Sequence, residues 1–476
     1  MVSSGKGLLR TQPVADAAAR EEAGMKLGGV CALSIVAFSL AVSGCGGPAA
    51  RPPAGAPPAP APHSAASPSQ PAPSARADLS ENPTVADYLA LAAANNPGLA
   101  SAEAKWKAAQ ERVPQAKSLD DPRITYRTGL GTGMRQHEVA IEQMFPWFGK
   151  LDLRAAVAQQ EAEAARQQYE AQRLKVAYQV KNAYFEYYYL ARSIDTVKQN
   201  RDLVKNLGDI ALTRYKAGTG GYQDVTRAQV ELGKLEDQVR TLEDSRGAAA
   251  ARLSAVLGRP LGATLPWPQA IPEGETEVAS DEKVLEWLAA ASPELRALDH
   301  EIARERTSID LAKKDYYPDV GFGVGYMNQV QQMINSDDHM VVGMVSVTLP
   351  IWREKYAAGV REAELRHDAA LKMRADKANM LGADVKMALY QMRDARRKMV
   401  LYRDTLIPKA RESLQATEAA FQAGQANFVD LVDGERTLLE FQLMYERMRA
   451  DHAQRAAELE MLVGKELPKT GKGDAK

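Results

Sequence analysis

Five landmarks recur in the same order in the two halves of this chain, and no other feature limits its fold as strongly. "NNPGL" at Asn95 matches "ASPEL" at Ala291, and "DDPRI" at Asp120 matches "YYPDV" at Tyr316, both at an offset of 196. "QMFPWFGK" at Gln143 matches "VTLPIWREK" at Val347, offset by 204. "AGTGGYQD" at Ala217 matches "AGQANFVD" at Ala423, and "VLGRPL" at Val256 matches "LVGKEL" at Leu462, both offset by 206. Most of the change in offset falls between Pro122 and Pro146, so the segment there tolerates insertion. A fold for this chain must therefore be built from two copies of one unit, 81–265 and 281–467, joined by a linker at 266–280.

Each copy reads as helix, strand, strand, long helix, returning helix. The first helix covers 84–117 or 281–314. Two alternating stretches follow, near 122–146 and 319–350. In the second copy, Val320, Phe322, Val324 and Tyr326 share one face and glycines the other, and Val341, Gly343, Val345, Val347 and Leu349 share a face. In the first, Ile124, Tyr126 and Leu130 oppose Val139, Ile141 and Phe145. Period two marks strands. The turn "QVQQMINSDDH" makes the second connection longer.

The long helices span 150–216 and 354–422, each about 100 Å at ~1.5 Å per residue. Val180, Ala183, Tyr187, Leu190, Ile194 and Val197 step 3-4-3-4-3, a coiled-coil seam. Pro408 predicts a kink. After each long helix comes a glycine turn, then a return helix at 222–257 or 428–463, with a polar tail at 468–476. The fold class is mainly α with a small β part.

Four strands do not close a membrane barrel, and open edges in lipid leave backbone groups unsatisfied. Three chains would supply twelve strands to a shared barrel. Trp147, Phe148 and Trp352 follow the strands, where an interfacial aromatic girdle belongs. A soluble coiled coil with two hairpin caps is the plainer alternative.

The leader narrows the compartment. "MKLGGVCALSIVAFSLAVSGC" has a short basic start, an apolar run too short for a comfortable permanent span, and Cys45 at its end. Residues 25–44 read as a signal peptide, and 1–24 as an extension upstream of the native start. Residues 45–80 carry Cys45 and then a Pro/Ala-rich tether that cannot bury a core. The chain has two cysteines, Cys31 and Cys45. Removing the leader leaves one, and no disulfide within the chain. The formal charge of −1 argues against a nucleic-acid surface. No nucleophile–base set, phosphate loop or metal-ligand cluster stands out, so an enzyme is not expected.

On these residues the chain resembles the TolC-like outer-membrane efflux family across 83–467, carried by the duplicated unit, "FPWFGK", "LPIWREK", "AGTGGYQDV" and "AGQANFVDLVD". "VSGC" resembles a lipobox, which points to the lipoprotein branch serving heavy-metal (Cus/Czc-type) and multidrug pumps. The resemblance implies a homotrimer with a twelve-strand barrel and a periplasmic α-helical tunnel. It implies acylation of Cys45 with palmitate-type chains, no other cofactor, and outer-membrane localisation, with Gly46 after the cysteine fitting export there. The implied function is a passive exit duct, with a periplasmic adaptor and an inner-membrane RND-type pump as partners. An exit duct for type I protein secretion is the alternative. A periplasmic adaptor is the alternative of another class, disfavoured because adaptors carry one hairpin.

The resemblance also assigns the tip. Ala217, Gly218, Thr219, Gly220, Ala423, Gly424 and Gln425 fall on the adaptor-contacting turns. Asp430 and Asp433 match the carboxylates that ring the pore, with Asp224 and Arg227 as first-copy counterparts. By spacing alone the aspartates share a helix face, and they read equally as solvated helix-start carboxylates favoured by the helix dipole. An arginine that locks the tip in relatives is replaced by Ala426, with Arg214 and Arg227 as candidate substitutes. Met327, Met333, Met340 and Met344, and the heptad Met373, Met380 and Met387, carry sulfur able to bind copper(I), although heptad methionines fit coil packing better. His339 reads as part of a solvated outer loop.

Overall fold

The computed structural model describes residues 83–131, 134–268, 270–271, 275–276, 280–331 and 336–470. The expectations for the leader, for Cys45 and its tether, and for Met333 lie outside the described residues.

Each repeat opens with two helices where the sequence predicts one. Helix α1 (Val85–Asn95) and α2 (Pro97–Lys117) are separated by Asn96, and α5 (Asp281–Ala291) and α6 (Pro293–Lys314) by Ser292. A residue before proline is driven out of the helical region. Asn96 and Ser292 accordingly sit at ψ 116° and 119°, and each proline starts the next helix. Asn96 Oδ1 accepts the Leu99 N–H at 3.0 Å, and its Nδ2 donates to the Val256 carbonyl at 2.7 Å. The break therefore docks on the end of the returning helix.

Strands β1 (Arg123–Gly131), β2 (Met134–Phe145), β4 (Asp319–Gln331) and β5 (Ser336–Thr348) form one antiparallel sheet in the order β1-β2-β4-β5. The register sets Ile124 opposite Ile141 and Val139 opposite Tyr326, so the alternating apolar residues share a face. That face is bare: Ile124 is 72% and Val341 70% exposed. The other face carries Arg127 bonded to Glu138 at 3.1 Å, Glu142 bonded to Ser346, and the glycines at 321, 323 and 325. His339 belongs to β5 rather than to a loop. The ladder continues through Asn328 and His339, and the Tyr326 hydroxyl lies 2.6 Å from His339 Nδ1.

Helix α3 (Lys150–Lys216) is unbroken over 67 residues, and α4 (Tyr222–Val256) returns along it. All six residues of the predicted seam are buried. In the second repeat α7 (Arg353–Leu401) passes through a π-helical turn, Tyr402–Leu406, before α8 (Ile407–Gln422) and the return helix α9 (Phe428–Val463). Pro408, where the sequence predicts a kink, lies just past this turn; it has no N–H for the carbonyl one turn back, and the widened turn accommodates that loss.

The core has a matching cluster in each repeat. One gathers Tyr88, Val180, Tyr184, Tyr187, Leu253 and Leu257, and the other Val284, Leu288, Val385, Leu389, Leu459 and Val463. The linker is partly core: Ile271 is buried in the first cluster along with Leu265, the last residue of the first unit, and Trp267 stacks on Tyr187 at 4.5 Å. A further ladder pairs β3 (Glu275–Thr276) with β6 (Lys469–Thr470), drawing the tail onto the linker.

At the sheet–helix joint, Lys150 is buried with its ammonium 3.0 Å from Asp319 and 3.3 Å from Asp315. The Trp147 N–H donates to the same Asp319 carboxylate at 2.8 Å. These bonds fix how the long helix leaves the sheet.

Candidate functional site at the helical tip

Both glycine turns adopt one conformation. After α3 the Thr219 N–H bonds to the Arg214 carbonyl at 2.9 Å, and after α8 the Gln425 N–H bonds to the Ala420 carbonyl at 2.8 Å. The turn needs a left-handed residue, met by Gly218 (φ 72°) and Gly424 (φ 76°). Ala217, Gly218, Thr219, Ala423, Gly424 and Gln425 are exposed, and Gly220 is half-buried. The two turns thus present backbone and small side chains at one end of the molecule.

Beneath them lies an apolar cluster of Leu207, Val225, Leu414, Phe421, Phe428 and Leu431. Ala426 packs at its edge. Arg214 crosses from the first turn to the second. Its guanidinium bonds to the Phe421 carbonyl, stacks over the Phe421 ring at 4.4 Å, and reaches the Thr219 carbonyl at 3.3 Å.

The predicted carboxylates separate into two environments. Asp430 is in the first turn of α9 and accepts the Asn427 N–H at 3.2 Å, so it caps the helix. Asp433 is exposed, 3.6 Å from Arg436. It lines a cleft of about 550 Å³ between α4 and α9 together with Arg227, Gln223, Val429 and Arg436. The structure brings Asp433 and Arg227 to one cleft. Asp224 stays in the first turn of α4 and lines no part of it.

The most unusual group at the tip is one that the sequence motifs pass over. Glu435 on α9 is 0% exposed, and neither carboxylate oxygen has a hydrogen-bond partner. Burial, and then the nearby Glu231 charge, pushes its carboxyl up to about 7. Glu231 on α4 is also buried, but Arg436 grips it, with Nε 3.0 Å from Oε1, and Lys234 lies 3.3 Å away. These hydrogen bonds hold Glu231 below the usual carboxylate range. A signal for Glu435 is present in the sequence: Leu431, Glu435, Leu438 and Leu439 follow helix spacing, so an acid stands in an apolar stripe.

At the sheet end, Phe148 is 84% and Trp352 70% exposed. Trp147 is instead half-buried and stacks on Tyr317 at 5.3 Å. Met373, Met380 and Met387 lie exposed along α7. Among the described residues no group of three or more His, Cys, Asp or Glu is placed to hold a metal ion, and no helix is long and apolar enough to cross a membrane.

A family model described as outer membrane efflux protein matches residues 88–259 and 284–465, one span in each repeat. The cobalt-zinc-cadmium resistance protein CzcC of Cupriavidus metallidurans is 23% identical over 393 residues, covering 80% of this chain and 90% of that protein. The fold is similar to that of the outer membrane protein VceC of Vibrio cholerae, with TM-score 0.68, 16% identity, and coverage of 80% of this chain and 96% of that one. It is also similar to the MtrE outer membrane channel of Neisseria gonorrhoeae in its open state, with TM-score 0.67, 18% identity, and coverage of 80% and 89%.

Proposed function

Because the chain belongs to the outer membrane efflux protein family, we propose that three copies of it close one duct across the outer membrane. The chain is an outer-membrane efflux channel of a tripartite system, a passive conduit and not an enzyme. The sheet carries the proposal for assembly. It has a bare apolar face, a polar face, and unpaired edges at β1 and β5. Unpaired edges are costly in lipid, and pairing β5 of each copy with β1 of the next removes them. Phe148 and Trp352 then stand at the lower membrane interface. The helices extend into the periplasm, with the glycine turns as the end that meets an adaptor protein and, through it, an inner-membrane RND-type pump. Acyl chains on Cys45 add an anchor. CzcC's metal-resistance name favours heavy-metal cations as cargo, with drugs as the second class.

At the tip, three copies of Asp430 and Asp433 make a six-carboxylate constriction that draws cations. The test replaces both, as Asp430→Asn and Asp433→Asn, since asparagine keeps an acceptor for the Asn427 N–H. In planar bilayers the double variant is expected to lose cation selectivity and block by trivalent cations. Selectivity and block equal to those of the unaltered protein would remove these residues from the constriction.

A further inference from the structure

Glu435 sits among apolar side chains at the level where α9 meets three other helices. Helices α3 and α8 contribute Leu207, Ala211 and Leu414 to that cluster, none of them charged. The adjacent Gly434 lies against Leu414, where an added Cβ would be 3.3 Å from its Cδ1. The charged groups near this level are Glu231 and Lys234 on α4, and Asp433 and Arg436 on α9 itself. Arg436 is committed to Glu231 and Asp433, and Lys234 to Glu231. Among the described residues no cation bonds to Glu435: both its oxygens are without hydrogen-bond partners, and Arg436, held by Glu231, acts on it only through space and less than burial does.

A carboxylate so placed is an uncompensated buried charge, which a packed interface does not tolerate. The side chain fits the closed packing as a neutral acid. It can ionise comfortably only if α9 shifts and water enters. The cleft of about 550 Å³ is lined by the adjacent Arg436 and by Glu231 and Lys234, while Glu435 itself stays out of its lining.

We propose that Glu435 is a proton-operated latch of the helical tip: as an acid it lets α9 close against α3, α4 and α8, and as a carboxylate it forces that contact apart. The latch rests on reading the tip as the closing end of the duct. Its direction follows from linkage. The closed form holds its proton up to about pH 7, whereas a solvated glutamate releases it near ~4.3. Closure is therefore favoured fully below that lower value. The preference is lost as pH rises toward 7, and changes no further above it.

The test uses full-length protein in lipid bilayers, read in two ways between pH 5 and pH 7.5. Hydrogen exchange of the amides of 428–439, corrected for the intrinsic pH dependence of exchange, reads the latch. Channel conductance reads the duct. In the unaltered protein the opening equilibrium seen by exchange should rise at least ~10-fold across this range, since one unit of pKa difference is tenfold. Glu435→Gln, an isostere that cannot ionise, should remain protected and flat. Equal pH dependence in both proteins overturns the latch. If the Gln variant does not fold, Glu231→Gln decides. It frees Arg436 for Glu435 and should move the transition to lower pH, and an unmoved transition overturns the proposal. If exchange responds while conductance does not, the latch stands and the tip is not the closing end of the duct.

Discussion

Arg214 on α3 and Phe421 on α8 are joined twice, by a hydrogen bond from the guanidinium to the Phe421 carbonyl and by the guanidinium lying 4.4 Å from the ring centre. The two residues are 207 positions apart, so this pair fastens the turn of one repeat to the turn of the other. It stands where Ala426 leaves no arginine on the second turn itself. A charged hydrogen bond and a cation–π contact together are worth about 1–3 kcal/mol when partly buried. Arg214→Ala should raise exchange of the 417–425 amides by about tenfold or more and increase channel openings in bilayers. Lysine should restore little, because it cannot both lie flat on the ring and reach two carbonyls. Unchanged exchange in the alanine variant would show that the pair does not fasten the turns.

Gly258 ends α4 at φ 68°, and a Cβ placed there would lie 2.3 Å from the Asn95 carbonyl oxygen. Gly464 ends α9 in the same way, and a Cβ placed there would lie 2.7 Å from the Ala291 carbonyl oxygen. The duplicated glycines let each return helix abut the break that precedes Pro97 or Pro293. Gly258→Ala should lower stability by about 2–4 kcal/mol, because it combines an unfavourable φ with a backbone collision. Gly233 in the exposed middle of α4 has nothing within 4 Å of where a Cβ would stand, so Gly233→Ala should raise stability by about 0.5–1 kcal/mol. Opposite signs in thermal unfolding of the two variants check the pair. The same sign for both would contradict it.

The repeat, the strands and the tip turns were legible because each rests on a short-range pattern: recurring landmarks, period-two alternation, and a glycine at a fixed offset. The helix breaks were missed, although Asn96–Pro97 and Ser292–Pro293 each carry a cap residue and a proline in the right order. The β3–β6 ladder has two residues on each side and no period to read. The Arg214–Phe421 contact is long-range, and no local pattern announces it. Asp430 and Asp433 stand out by spacing, but spacing does not separate the capping carboxylate from the cleft-lining one. Glu435 was legible as an acid in an apolar stripe, while the absence of any partner for it depends on where Arg436 and Lys234 point.

The likeness of "VSGC" to a lipobox predicts that the mature chain starts at Cys45 and carries acyl chains there. Mass spectrometry of the purified N-terminus should find that start with the added lipid mass. An unmodified cysteine, or a start elsewhere, would remove the anchor. The sheet would still be able to enter the membrane, since strands and not acyl chains provide its span.

The central claim is that one chain supplies a third of a duct. The direct measurement is the native mass of the full-length protein released from lipid, with its strand content read on the same sample by circular dichroism. Four strands with two free edges require neighbours in a membrane. The account predicts a complex of three times the mass of the processed chain, stable in detergent and with its strand signal intact. A stable single chain that keeps the full strand signal and inserts into bilayers would contradict it.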